Sequence, residues 1–117
     1  MNAKQYYEQN KAIRDTWAAK QKRRCMKCHS PDQWPGLQIH EMEQKSAAPR
    51  SWLDPCNFLL LCQRDHEGFH NGNTRDSHIE QLRVKIREDA EHFSLGKWLT
   101  LRPRGEDYIT MEDLSEN

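Results

Sequence analysis

The sequence predicts an α+β domain, and three features carry that expectation. Helical periodicity runs along both ends of the chain, a Pro- and Gly-punctuated middle holds two short apolar runs, and a Cys-x-x-Cys pair has a third cysteine downstream. The expected layout is a basic N-terminal helix over 1–24, a strand, loop, strand and helix unit with a metal knuckle over 25–72, a helical extension over 73–105, and an acidic tail over 106–117. One domain accommodates all of it. At 117 residues and 35% hydrophobic content the core is small, and a small core needs a staple.

Residues 3 to 22 contain no Pro or Gly, and Tyr6, Ile13 and Trp17 recur at helical spacing, which predicts an amphipathic helix. It leads into the basic stretch Lys20-Gln-Lys-Arg-Arg24. From Cys25 to about Asn57, Pro31, Pro35, Gly36, Pro49 and Pro55 divide the chain into loops and short segments such as Leu37-Gln-Ile-His40. The run Asn57-Phe-Leu-Leu-Leu-Cys62 reads as a second strand passing into a short helix, which Asn71-Gly72 closes with a left-handed cap. Ser77-His-Ile-Glu80 is a capping box for a last helix, with Ile79, Leu82, Ile86, Ala90 and Phe93 along one face and Gly96 and Pro103 limiting its extent. The acidic end is expected to fray.

The charged fraction of 31% and mean hydropathy of −1.10 point toward disorder, but four Trp, three Phe and three Tyr supply bulky packing groups. No apolar run approaches the roughly 18 residues that span a bilayer, and the N-terminus is charged and helical rather than leader-like, so a cytoplasmic protein is expected. In that compartment cysteines stay reduced and serve metals or catalysis. Net charge is zero, yet the last twelve residues carry Glu106, Asp107, Glu112, Asp113 and Glu116 and no Lys or Arg, leaving 18 basic against 13 acidic groups over 1–105. The body is mildly basic.

Cys25-Met-Lys-Cys28 can bind one tetrahedral zinc from a tight turn, and Cys62 brings a third sulfur. Where a second CxxC would close, the chain has Cys62-Gln-Arg-Asp65, and a carboxylate is an allowed fourth ligand. Cys56 and His66 are the alternatives. Cys56 also suits the plainer reading of a buried free thiol.

The segments Leu37-Gln-Ile-His40-Glu41 and Pro55-Cys-Asn57-Phe-Leu-Leu-Leu-Cys62-Gln-Arg-Asp65-His66-Glu-Gly-Phe-His70 together resemble the HNH endonuclease motif, over about residues 25 to 72. The nearest style is that of small phage or prophage HNH proteins, which would place the chain in a bacterial host cell. The resemblance implies a ββα-metal, treble-clef-like core with a structural Zn²⁺, and metal-dependent hydrolysis of DNA. It also implies that His40, His66 and His70 hold a catalytic divalent cation such as Mg²⁺ or Mn²⁺, and that Asn57 pins the loop or orients the base. Glu41 stands where the family usually places a histidine base, a departure from the pattern. In the other register His40 is the base and Glu41 a ligand, because adjacent strand residues face opposite ways. Independently of the family, His66 and His70 are four apart and share one helical face.

Lys20, Lys22, Arg23 and Arg24, with Arg50, Arg64, Arg102 and Arg104, are candidate phosphate contacts. Trp34 and Trp52 flank the motif and read as packing over the small core or as wedges into a groove. His29, His78 and His92 read as solvated polar groups. A non-catalytic zinc module that binds DNA or a protein partner is the rival function, and a redox role for Cys25 and Cys28 is disfavoured because no βαβ pattern surrounds them.

Overall fold

A computed structural model describes residues 2–43, 54–71, 74–100 and 108–116, without the side chain of Tyr6. Arg50, Trp52, Gly72, Arg102 and Arg104 therefore lie outside the described residues. In chain order the elements are α1 (Ala3–Ala19), β1 (Gln38–Glu41), β2 (Phe58–Leu61), α2 (Gln63–His70), α3 (Arg75–Glu88), α4 (Leu95–Thr100) and α5 (Met111–Leu114). The protein is mixed helix and strand, as expected for α+β. No helix among the described residues is long and apolar enough to cross a membrane.

Helix α1 begins at Asn2, whose side chain accepts from the Gln5 amide while Gln5 reaches back to the Asn2 amide. It stops at Ala19, ahead of the basic run. Strands β1 and β2 pair antiparallel, with Gln38 opposite Leu61 and Glu41 opposite Phe58. All four β2 residues are buried, as a continuous apolar run requires when both faces are covered. Trp17 of α1 meets Phe58 edge-on at 5.6 Å between ring centroids, and the Met26 amide donates to the Leu60 carbonyl at 2.9 Å. Helix, strand and knuckle are thus fastened to β2.

The helical extension departs from its sequence reading in two places. The cap is Thr74, not Ser77: Thr74 is extended, its hydroxyl accepts from the Ser77 amide, and α3 starts at Arg75. The single long helix is also broken after Glu88. Asp89 leaves helical geometry (φ −148°, ψ 53°) because its carboxylate accepts from Lys85 at 2.7 Å, Trp17 Nε1 at 2.8 Å and His92 at 2.9 Å. Tertiary bonds outweigh local propensity there.

The acidic end docks instead of fraying over its described part. Ile109 and Leu114 are buried, Thr110 and Asp113 form a capping box, and Arg75 and Arg83 of α3 donate to Tyr108, Asp113 and Ser115. Acids that look solvated in sequence meet basic residues of α3.

Lys85 is fully buried, and its ammonium donates to the Pro55 and Phe58 carbonyls and to Asp89, 4.8 Å from the centre of the Trp17 ring. Burial alone would raise the Asp89 carboxyl, but hydrogen bonds from Lys85, His92 and Trp17 hold it below the usual range. Lys85→Met should cost about 3–5 kcal/mol in denaturant unfolding, because it strands the Asp89 charge. A carboxyl lowered in the folded state stabilises above its unfolded pKa and loses that contribution as pH falls through the folded value. Stability of the wild type should therefore drop through the acid range, and Asp89→Asn should flatten that limb.

Candidate metal centre and histidine cluster

The segment from Arg24 to Pro31 folds back on itself as a knuckle. The Cys25 amide donates to the Ser30 carbonyl at 2.9 Å, the His29 amide donates to the Cys25 carbonyl at 2.9 Å, and Arg24 and Pro31 bridge antiparallel. His29 takes the left-handed conformation at φ 63°, which closes the turn and brings both cysteines to one side. Cys62 caps the start of α2, so Asp65 lies in the first helical turn, where the backbone amides favour a carboxylate.

Ligand atoms of Cys25, Cys28, Cys62 and Asp65 lie within 4.8 Å of one another, and theirs is the one such group among the described residues. Cys28 and Cys62 sulfurs are 3.8 Å apart, and Asp65 Oδ2 is 3.1 Å from Cys25 and 3.4 Å from Cys62. Around a tetrahedral zinc with Zn–S near 2.3 Å and Zn–O near 2.0 Å, sulfurs are separated by about 3.8 Å and sulfur from oxygen by about 3.5 Å. The Cys28–Cys62 and Cys62–Asp65 edges match and the Cys25–Asp65 edge is shorter, so the group can hold a metal ion and is compatible with zinc. Cys56 is elsewhere, buried beside Asp54, and burial pushes its thiol up to about 12. Burial also pushes Cys25 up to about 12, whereas the Ser30 hydroxyl lowers Cys28.

Next to Asp65 on α2, His66 Nδ1 stands 3.2 Å from His40 Nδ1 of β1. His40 is buried: Phe69 lies 5.8 Å away between ring centroids, and Gln81 of α3 accepts from Nε2 at 2.7 Å. Burial pushes its imidazole down to about 4, and burial likewise lowers His66. His70 follows His66 along the helix at 6.0 Å between ring centroids. Glu41, next to His40, meets the Arg14 guanidinium of α1. Asn57 accepts from the Glu43 amide at 2.8 Å and donates to the Glu43 carbonyl at 2.9 Å, clamping the chain just after β1, and Trp98 donates to it at 3.1 Å.

Several residues sit differently from their sequence reading. His78 is completely buried between the rings of Trp98 and Tyr108 rather than solvated. Trp34 is 94% exposed rather than packed over the core, beside Pro31, Leu37 and Arg64 around a cavity of about 300 Å³. Arg23 pairs with Asp32 and Arg24 with Glu88, while Lys20 and Lys22 line a second cleft of about 320 Å³ with Arg24 and Arg87. Gln81 and Arg14 were not expected at the site. Neither has a sequence signal, because each reaches it from a helix outside the motif.

Purified protein should carry about one zinc per chain by elemental analysis. Cys25→Ser and Asp65→Ala should lower that content and the melting temperature, whereas Cys56→Ser should keep the metal. A zinc-free protein whose melting ignores a chelator would remove the assignment. No protein-family model, curated protein or solved structure matches this chain.

Proposed function

We propose that the protein is a metal-dependent endonuclease that hydrolyses DNA phosphodiester bonds, in the manner of the HNH nucleases its central segment resembles. The observation that carries this reading is the pair of imidazole nitrogens, His40 Nδ1 and His66 Nδ1, at 3.2 Å beside the Cys and Asp group. Two nitrogens bound to one zinc ion at 2.0–2.1 Å in a tetrahedral array are about 3.3 Å apart. His40 and His66 would hold that ion, and His70 is near enough along α2 to join through a water. When bound, a cation such as Mg²⁺ or Mn²⁺ supplies Lewis-acid stabilisation of the phosphoryl and leaving oxygens.

The chain's own groups suit the task. His40 is neutral at physiological pH because burial disfavours its charged form, so a lone pair is available without a proton to displace. Asn57 holds the chain just after β1, the strand that carries His40. Glu41 is the proton acceptor in this reading, and Arg14 orients its carboxylate. That engagement also supports the second reading, a non-catalytic zinc module, because a carboxylate held by a guanidinium is a poorer base.

DNA is the proposed partner. Lys20, Lys22 and Arg64 offer cationic groups, and Trp34 stands clear of the protein on a loop braced by Asp32, which accepts from the Leu37 amide at 3.1 Å and pairs with Arg23. A base stacked on such an indole gains about 1–3 kcal/mol.

Supercoiled plasmid incubated with protein and Mg²⁺ or Mn²⁺ should become nicked or linear, and should stay intact without the ion. His66→Ala should abolish cleavage while zinc content and melting stay unchanged. Glu41→Gln should cost about 10²-fold or more in rate with DNA affinity preserved. Trp34→Ala should weaken binding of an oligonucleotide about five-fold or more without altering the fold. Intact plasmid under every metal condition, with DNA still bound, would favour the zinc module.

A further inference from the structure

Gln81 is 1% exposed and belongs to α3, outside the strand, strand and helix unit that bears the other site residues. Its carboxamide joins two elements. Oε1 accepts from His40 Nε2 at 2.7 Å, and Nε2 donates to Ser77 Oγ at 3.0 Å, one turn back on the same helix. With its N–H end engaged by Ser77, the amide turns its oxygen to His40. An acceptor at Nε2 requires the imidazole proton to sit there, and a neutral ring carries only one N–H. Nδ1 keeps its lone pair, and Nδ1 is the atom that faces His66.

We propose that Gln81 is a positioning residue: by accepting from His40 Nε2–H it locks the tautomer that turns an unprotonated Nδ1 toward His66, presetting that nitrogen as a cation ligand. The inference rests on the reading of His40 and His66 as a cation-binding pair. Outer partners of this kind commonly orient ligating histidines, and here the partner comes from a helix that the motif does not include.

A consequence separates the two histidines. At 3.2 Å two facing lone pairs repel, so in the absence of a cation His66 carries its proton on Nδ1 and donates to His40 Nδ1. For His66 to offer Nδ1 as a ligand, that N–H must break and an N–H must form at Nε2, by exchange with water. Net charge does not change. His40 requires no such shift, because Gln81 has already placed its proton.

The test is a long-range ¹H–¹⁵N correlation spectrum of the histidine rings in full-length protein carrying one equivalent of zinc, at neutral pH. The expected result is an Nε2–H His40 and an Nδ1–H His66, and a second equivalent of Zn²⁺ should move His66 to its Nε2–H form while His40 keeps its tautomer. Gln81→Leu should lose the single His40 tautomer and weaken the second Zn²⁺ by about 10–100-fold, and Gln81→Glu, which keeps an acceptor, should restore both. Ser77→Ala leaves the core intact, and should broaden the His40 preference even if Gln81→Leu fails to fold. An Nδ1–H His40 in the wild type, a single unchanged tautomer in Gln81→Leu, or ring nitrogens that ignore the second Zn²⁺ would each overturn the proposal. Cleavage is not read: an inactive protein with the expected spectra would remove the nuclease and support the role of Gln81.

Discussion

Three sulfurs and a carboxylate meet where the knuckle, the end of β2 and the start of α2 converge, and the candidate site is built around that meeting. The Cys25 and Cys62 thiols donate to the Asp65 carboxylate, and a cation bound at their centre would replace those protons. The same group lies at the start of α2, where the His66 amide donates to the Cys62 carbonyl at 2.9 Å and His66 directly follows Asp65. In a 35% hydrophobic chain, an ion held by this group would add a cross-link that a small core lacks.

Helix α3 is the second organiser. It presents Lys85 to the carbonyls of Pro55 and Phe58, Gln81 to His40, and arginines to the acidic end of the chain. Lys85 seals backbone acceptors at the entrance to β2 and is balanced by Asp89, so removing either charge leaves the other buried and uncompensated. Gln81 works in the same interior four residues earlier. One helix face therefore satisfies the polar groups beneath β2 and orients the imidazole in front of it.

The histidines show how burial serves chemistry. His40 is kept neutral by a nearly dry setting, and a neutral ring has one lone pair to offer. Which nitrogen offers it depends on a single hydrogen bond. His66, half-buried, retains access to water and can exchange its proton, which suits it to be the adjustable member of the pair.

The sequence by itself determined the α+β class, the two short strands followed by a helix, and the Cys25, Cys28 and Cys62 set, leaving Asp65, Cys56 and His66 open as the fourth member; only the structure brought Cys62 to Cys28 across 34 residues and placed Asp65 in the group. A CxxC and a Cys-x-x-Asp declare their geometry locally. Only the tertiary structure decided that Thr74 caps α3, that Asp89 breaks the helical periodicity, that His78 is buried and Trp34 is not, and that the acidic end docks. Only it brought Gln81 to His40 and Arg14 to Glu41, over separations of 41 and 27 residues. Such contacts leave no period in the chain: a buried glutamine on a helix reads like a solvated one until the strand that needs its oxygen is packed against it.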